Sequence, residues 1–237
     1  MSRLPTQVLP PVLASVEQAI IACDRCSRLR SYCEEIGLKK RRAYLHEDYW
    51  ARPVAGFGDP HAKILLLGLA PGAHGANRTG RVFTGDGSGD FLFPVLNELS
   101  LASQAAATHR GDGLKLQQTW IGCVVRCAPP GDKPTPEEVR NCSQHLAAEI
   151  AALPRLRVVV CLGKIAWDGY LALLVRTAVI IKRSQFIFGH GVVYVLPNGL
   201  HLLGVYHPSL RNTNTGRLNA PMLARVLLQA KKLAEVD

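Results

Sequence analysis

The sequence predicts a three-layer α/β/α sandwich built around a central, mainly parallel sheet of four strands. Four short runs are continuously apolar, which is typical of strands buried on both faces of a parallel sheet. Helical patterns lie between these runs, and strands that alternate with helices indicate an α/β domain. The predicted strands are KILLLGLA (63–70), TWIGCVVRC (119–127), RVVVCLG (157–163) and HLLGVYHP (201–208).

The predicted helices precede and separate these strands. Apolar residues recur at helical spacing from about residue 11 to residue 40, with an interruption at Cys23 and Cys26. A later helix opens with Thr135, Pro136 and Glu138, which suit an N-cap, a first helical residue and a capping-box acid. The helices after the strands are DFLFPVLNELSL (90–101), TPEEVRNCSQHLAAEIAAL (135–153), GKIAWDGYLALLVR (163–176) and LARVLLQAKKLAEV (223–236).

Two runs of alternating polarity, SQFIFG (184–189) and GVVYVLP (191–197), precede the last strand. Alternation is typical of strands with one exposed face. The two runs predict a β-hairpin that turns at His190 and Gly191.

The length and composition suit one domain, 1–237, with an N-terminal helical segment. The chain has 237 residues, of which 48% are hydrophobic. No run reaches the roughly 18 apolar residues of a membrane helix, and the N-terminal residues lack a long apolar signal region. We therefore expect a cytoplasmic protein, without membrane contact, whose seven cysteines are not in disulfides.

The charge balance indicates an anionic partner. Lys and Arg number 28 against 18 Asp and Glu, which gives a formal net charge of +10. Because a basic surface attracts phosphates, nucleic acid is the first partner to test. The run KKRR (39–42), by contrast, is by itself typical of a solvated face rather than of a DNA clamp.

Polar and glycine-rich segments follow three of the predicted strands: GLAPGAHG (68–75), VVRCAPPGDK (124–133) and YHPSLRN (206–212). Ligands of open α/β sheets bind outside the carboxyl ends of the strands. The first segment lacks the Lys and Ser/Thr of a Walker A loop, and GDGSGD (85–90) lacks the third glycine of a dinucleotide fingerprint. We therefore expect a ligand site here that is not a common nucleotide loop.

Four cysteines have a spacing that suits a metal centre. Cys23 and Cys26 form a C-x2-C pair, and fourteen residues separate Cys127 from Cys142. Two close and two distant thiolates could hold zinc or an iron–sulfur cluster and join the N-terminal helix to the sheet. Cys33 could compete as a ligand, and the alternative is that these cysteines are small apolar core residues, which is the interpretation favoured for Cys161.

The motifs together resemble those of the uracil-DNA glycosylases of family 5, the iron–sulfur type B group. The resemblance rests on GLAPGAHGANRTGRVFTGD (68–86), VRCAPPGDKPTPEEVRNC (125–142), FGHG (188–191) and HPSLRNTNTG (207–216), and it spans Cys23 to about Arg217. It implies an α/β/α sandwich with a structural [4Fe-4S] cluster whose ligands are Cys23, Cys26, Cys127 and Cys142. It also implies removal of uracil, hypoxanthine and xanthine from DNA, the first step of base excision repair.

The resemblance also implies roles in a base pocket. A glycosylase takes the base out of the stack and stabilises the departing base anion. Phe83 would stack on the flipped base, and glycines around it favour an exposed ring. His207 would donate a hydrogen bond to the O2 carbonyl of uracil as a neutral imidazole. The expected base-binding residues are Gly68, Ala70, Phe83, Cys123 and His190.

The first motif departs from related glycosylases, which carry an acid or amide where this chain has Leu69 and Ala70. The nearest downstream acid is Asp86. It is a candidate for positioning the water or stabilising the sugar cation, and the alternative is that it caps the following helix. Cys123 stands where relatives carry an asparagine that reads uracil. A thiol cannot replace the paired donor and acceptor of an amide, so we expect a permissive pocket.

The remaining polar residues of the motifs are candidates for DNA contact. The segment SLRNTNTGR (209–217) could insert Leu210 or Arg211 into the duplex while its hydroxyls and amides meet phosphates. We expect a monomer that binds double- and single-stranded DNA and is nucleoid-associated when bound. The expected DNA-binding residues are His74, Asn77, Arg78, Arg81, Ser209, Leu210, Arg211 and Asn212.

Two other functions stay open at this point. The chain could bind uracil-containing DNA without efficient turnover, or it could be a zinc-stabilised module whose glycine loop holds a nucleotide. Multiple turnover would separate an enzyme from a binding protein. A brown protein would favour a cluster over zinc.

Overall fold

A computed structural model describes residues 9–236 of the chain. Residues 1–8 and residue 237 lie outside the described residues. They are part of the predicted domain 1–237, and residues 1–8 also begin the segment that is expected to lack a signal region. The helices are α1 (Pro11–Ile21), α2 (Ser27–Lys39), α3 (Ala76–Thr79), α4 (Gly87–Glu98), α5 (Pro136–Ala151), α6 (Lys164–Arg176), α7 (Leu210–Asn214) and α8 (Ala220–Ala234). The strands are β1 (Phe57–Gly58), β2 (Ile64–Gly68), β3 (Thr119–Cys123), β4 (Val158–Leu162), β5 (Val193–Val195) and β6 (His201–Val205).

The sheet has six strands in the order β1-β3-β2-β4-β6-β5. Its centre consists of the four predicted strands, and all of these run parallel: Leu66 pairs with Ile121 on one side and with Val160 on the other, and Val160 pairs with Leu203. Two short antiparallel strands, β1 and β5, close the edges. The parallel sheet was therefore predicted correctly. Of its edge strands, β1 was missed, whereas β5 lies within the predicted run GVVYVLP (191–197) but belongs to this sheet.

Helices cover both faces of the sheet, which confirms the three-layer α/β/α fold. Ile64 and Leu66 of β2 face the side covered by α4 and α8. Leu65 and Leu67 face the side covered by α5 and α6, where residues of α1 and α2 also pack. All five residues of each central parallel strand β2, β3 and β4 are buried, as their continuous hydrophobicity predicts.

The predicted hairpin of SQFIFG with GVVYVLP is wrong. β5 pairs instead with β6, with Val193 opposite Leu203 and Val195 opposite His201. The physical reason lies in Tyr194, whose hydroxyl accepts from the N–H of Ile187 at 3.0 Å and donates to its carbonyl at 3.1 Å. The side chain thereby occupies backbone groups that a ladder through SQFIFG would use.

The N-terminal segment folds as two helices that flank the C-x2-C pair. α1 packs against α5, and Leu13 and Leu29 are buried there. Helix α5 begins with the predicted capping box, in which the side chains and backbones of Thr135 and Glu138 bond reciprocally. All seven cysteines are free thiols. Within residues 9–236, no helix combines the length and apolar character needed to cross a membrane.

Candidate active site

A cleft of about 780 Å³ lies at the carboxyl ends of the parallel strands. Leu69 and Ala70 line it after β2, Leu162 at the end of β4, and Tyr206 and His207 after β6. Because the carboxyl ends of parallel strands meet at one edge of a sheet, the chemically distinct segments after them come together there. The sequence prediction of a ligand site at this edge is consistent with this geometry.

Phe83 forms one wall of the cleft. Its ring lies over the end of β2, with Cζ 3.0 Å from the position that a Cβ on Gly68 would occupy, so a side chain at residue 68 would crowd the ring. The backbone of Phe83 is left-handed, with φ of 51°, a conformation that non-glycine residues rarely adopt. The expected exposed ring is wrong, because Phe83 is 7% exposed and packs into the core while it lines the cleft.

His207 lines the cleft next to Phe83. Its ring centroid is 6.3 Å from that of Phe83, and the two ring planes are inclined by 38°. Burial lowers the pKa of His207, and the nearby charge of Asp132 only partly opposes this effect. Asn212 donates from Nδ2 to the carbonyl oxygen of His207 at 2.8 Å and so holds its backbone. At neutral pH the site therefore contains a neutral imidazole.

Asp86 caps helix α4 and also lines the cleft. Its Oδ1 accepts from the backbone N–H groups of Ser88 and Gly89, both at 3.0 Å. Its Oδ2 lies against Gly75, only 2.0 Å from the position of a Cβ there, and has no hydrogen-bond partner among the described residues. Burial raises the pKa of Asp86, and the two N–H bonds counteract this rise. The capping interpretation is confirmed, and one carboxylate oxygen is left over for another contact.

Three expected base-binding residues do not line the cleft. Gly68 and Cys123 lie beneath Phe83. Cys123 is fully buried, and this burial raises the pKa of its thiol to about 12. His190 stacks on the ring of Tyr206, which does line the cleft, with ring centroids 5.0 Å apart. Nδ1 of His190 accepts from the backbone N–H of Tyr206 at 3.4 Å. Ala70 and Phe83 line the cleft directly.

The expected DNA-binding residues divide into two groups. His74, Ser209, Leu210 and Asn212 line the cleft, and Arg211 is exposed next to it. Leu210 is 58% exposed at the cleft mouth, where its side chain lies over Gly87.

The expectation is wrong for Asn77, Arg78 and Arg81, because their polar groups bond inside the protein. Asn77 is fully buried and donates to the carbonyl of Cys33 at 3.2 Å. Arg81 donates to both carboxylate oxygens of Asp112, at 2.9 and 2.6 Å. Arg78 donates to the carbonyls of His74 and Gly85, each at 2.8 Å, and pairs with Glu47.

Other cleft residues were missed by sequence reasoning. Arg41 and Tyr44 reach the cleft from the loop after α2, so the run KKRR is not merely a solvated face. Arg217 also lines the cleft, and its guanidinium lies 4.7 Å from the ring centre of Tyr206. The sequence signal for Arg217 was its position directly after the last motif, HPSLRNTNTG (207–216). No sequence signal linked Arg41 to the site.

The four predicted ligand cysteines line one small cavity between the N-terminal helices and α5, together with Arg30, Asn141 and His145. The backbone N–H of Arg126 donates to Sγ of Cys142 at 3.2 Å. Two buried nitrogens, Nη1 of Arg30 and Nε2 of His145, have no partner among the described residues. Four thiols surrounded by N–H donors are the chemistry that holds iron–sulfur clusters.

The same cysteines do not form a compact single-ion site. No three His, Cys, Asp or Glu side chains within residues 9–236 form a group that could hold a metal ion. Zinc requires its sulfur ligands about 2.3 Å from one point. Cys33 does not line this cavity, and its Sγ donates to the carbonyl of Ala128 at 3.7 Å. The four cysteines and the N–H groups around them have the ligand chemistry of an iron–sulfur cluster.

Comparisons with known proteins agree with this geometry. The family model described as "Uracil DNA glycosylase superfamily" matches residues 55–231. A type-5 uracil-DNA glycosylase of Thermus thermophilus is 50% identical over 217 residues, which cover 92% of this chain and 96% of the relative. A type-5 enzyme of Mycobacterium tuberculosis is 44% identical over 226 residues, 95% of this chain and 83% of the relative. A type-4 uracil-DNA glycosylase of Archaeoglobus fulgidus is 29% identical over 160 residues, 66% of this chain and 70% of the relative. The chain therefore belongs to the uracil-DNA glycosylase superfamily and, within it, to the type-5 uracil-DNA glycosylases, hydrolases that act on N-glycosyl bonds.

Proposed function

We propose that this enzyme releases hypoxanthine and xanthine as well as uracil from double- and single-stranded DNA, with Phe83, His207 and Asp86 at the reacting nucleotide. The observation that carries the proposal is the facing pair of Phe83 and His207 in the cleft, with ring centroids 6.3 Å apart. One residue offers an aromatic face for the plane of a flipped base. The other offers a polar ring for its edge.

The surroundings of Cys123 support a broad choice of bases. This residue is fully buried beneath Gly68 and Phe83 and does not reach the cleft. Leu69 and Ala70 on the adjoining wall are apolar. None of the three can supply the paired donor and acceptor with which an amide discriminates between base edges. Recognition by stacking is tolerant, because every base has an aromatic face.

The polar residues suit cleavage of the bond between C1′ and the base nitrogen. The neutral His207 donates an N–H to the edge of the departing base on which negative charge accumulates, a carbonyl oxygen in uracil and a ring nitrogen or carbonyl oxygen in a purine. Asp86 accepts a hydrogen bond from the attacking water through Oδ2 while Oδ1 stays in the cap. The water oxygen bonds to C1′ and its proton passes to Asp86 or to solvent.

A [4Fe-4S] cluster held by Cys23, Cys26, Cys127 and Cys142 completes the proposal. When bound, it would cross-link the α1–α2 segment to β3 and α5, so that residues 1–237 form one domain. The shared cavity and the unpartnered donors of Arg30 and His145 support it. Purified protein should be brown and contain about four iron atoms per chain. Cys26→Ser should lose this iron, whereas Cys161→Ser, in the buried strand β4, should keep it.

The substrate proposal is tested by measuring free base released from duplexes and single strands that carry uracil, hypoxanthine or xanthine. All three bases should be released with multiple turnover. His207→Ala should lower the single-turnover rate roughly 100- to 1,000-fold for each base, whereas His201→Ala, at the amino end of β6, should not. Release of uracil alone would overturn the broad specificity. A single stoichiometric burst would indicate a binding protein instead.

The monomeric state, the cytoplasmic location and the association with the nucleoid stay predictions. The net charge of +10 supports the last of these.

A further inference from the structure

We infer that Tyr49, which lies outside the cleft, orients His74 to donate its Nε2–H to a phosphate of the bound strand, and that Arg41 completes this phosphate site. The inference rests on the proposed function, because it takes DNA as the occupant of the cleft.

The hydrogen bonds of Tyr49 determine which ring nitrogen of His74 carries the proton. Oη of Tyr49 lies 2.9 Å from Nδ1 of His74, and it accepts from the backbone N–H of Arg41 at 3.4 Å. Oη has a single proton, and with the Arg41 N–H directed at one of its lone pairs we infer that this proton points to Nδ1. A neutral imidazole that accepts at Nδ1 carries its own proton at Nε2.

The imidazole is neutral and firmly held. Burial lowers the pKa of His74, and the charges of Arg41 and Arg78 lower it further. The carbonyl oxygen of His74 accepts from Nε of Arg78 at 2.8 Å, and the Arg78 guanidinium lies 3.9 Å from the ring centre of Tyr44. The ring edge that carries Nε2 therefore has a fixed position.

The two side chains present donors to the same cleft. His74 and Arg41 line it, whereas Tyr49 does not. Arg78 is neutralised by Glu47, but Arg41 has no ion pair within residues 9–236. No hydrogen bond in the described part of the chain uses Nε2 of His74. A neutral N–H donor beside an unpaired guanidinium suits a phosphate oxygen, the group that most protein–DNA hydrogen bonds contact.

The test uses the fact that glutamine and asparagine each imitate one histidine nitrogen. The amide nitrogen of Gln can replace a donor at Nε2, and that of Asn lies nearer the position of Nδ1. Binding of a duplex with a tetrahydrofuran abasic analogue is measured by fluorescence anisotropy over a salt series. Tyr49→Phe and His74→Asn should each raise Kd roughly 3- to 10-fold. His74→Gln should retain more affinity than His74→Asn and should remove the effect of Tyr49→Phe in the double variant.

Arg41→Ala should weaken binding and reduce the slope of log K against log salt by about one, since one phosphate contact is lost. Nitrogen-15 shifts of the His74 ring give a second readout that does not depend on DNA, and they should show the proton at Nε2 in wild type. Tyr32→Phe is the matched control, because it removes a hydroxyl from α2 away from the cleft.

The proton at Nδ1, or equal affinities of the Gln and Asn variants, would overturn the inference. Failure of the proposed function has a different signature, because wild type would then release uracil alone, or stop after one stoichiometric burst, whatever these variants bind.

Discussion

Phe83 and His207 come from segments more than one hundred residues apart, yet their ring centroids lie 6.3 Å from each other across the cleft. Gly68 makes this possible on one side, because a Cβ there would approach the Phe83 ring to 3.0 Å. Gly163 does so on the other, because a Cβ there would lie 3.0 Å from Cβ of His207. Glycines at two strand ends thus allow the backbone to approach both residues closely.

Phe83→Leu should weaken capture of the flipped base. Leucine keeps an apolar wall but removes the aromatic face, and base stacking is worth about 1–3 kcal/mol. We expect kcat/KM for uracil excision to fall roughly 5- to 150-fold, as measured under steady-state conditions on a uracil duplex.

Phe93→Leu is the control for this variant. Phe93 is fully buried in the same core but does not line the cleft. Its replacement should lower the melting temperature without a comparable loss of kcat/KM. Equal losses of activity in the two variants would mean that Phe83 acts through core packing rather than through the base.

Asp86→Asn should separate the two roles of this residue. The amide oxygen can still accept from Ser88 and Gly89, so the cap and the melting temperature should be retained. The charge is lost, and the single-turnover excision rate should fall about 100-fold or more. Burial raises the pKa of Asp86 above 3.8, so its carboxylate takes up a proton at a higher pH than an exposed aspartate does. The wild-type excision rate should therefore decline as the pH falls through that pKa, and the Asp86→Asn variant should lack this decline.

Asp86→Ala completes the comparison, because it removes the cap as well and should cost about 1 kcal/mol of stability. A wild-type excision rate in Asp86→Asn would restrict Asp86 to capping.

The parallel sheet could be predicted because its strands are short, continuously apolar and separated by clear helices. β1 has only two residues, Phe57 and Gly58, and carries no pattern. β5 pairs with β6, and the hydroxyl of Tyr194 bonds both backbone groups of Ile187 in the other predicted hairpin strand. Local patterns do not contain such long-range choices.

The site was predictable where a residue directly follows a strand, as His207 does. Arg81 was misassigned because its partner, Asp112, lies 31 residues away in a polar loop. Arg41 was overlooked for the opposite reason, since a basic run looks solvated until the fold brings it to a cleft. Charge in a sequence does not reveal which cations are already paired.

Asp112 should contribute to stability above about pH 4 and lose that contribution as the pH falls toward 2. Burial alone would raise the pKa of Asp112, but hydrogen bonds from Arg81, Leu114 and Thr108 outweigh burial and hold the pKa at about 2. A pKa that is lower in the folded than in the unfolded chain favours the folded state only while the carboxylate is ionised.

Urea unfolding at several pH values checks this. The free energy of unfolding of wild type should exceed that of Asp112→Asn at pH 5, and the difference should shrink steadily below about pH 4. The exposed Asp48 provides the control, because Asp48→Asn removes a carboxylate that has no hydrogen bond in the described part of the chain. A difference independent of pH would show that Asp112 stabilises by shape alone.

Glu149→Gln should be strongly destabilising, because it would leave a buried charge uncompensated. Arg126 and Glu149 are 1% and 2% exposed, and the guanidinium donates to the two carboxylate oxygens at 3.0 and 2.6 Å. Oε1 of Glu149 also accepts from the backbone N–H of Gly56 at 2.7 Å, which ties α5 to the segment before β1. Breaking one side of a buried pair typically costs about 3–5 kcal/mol.

Unfolding in guanidinium chloride measures this loss of stability, provided that wild type and variant contain the same amount of iron. Glu35→Gln, which breaks the exposed pair with Lys39, should produce no resolvable change. If the Glu149 variant were also unaffected, the Arg126–Glu149 pair would make no net contribution to stability.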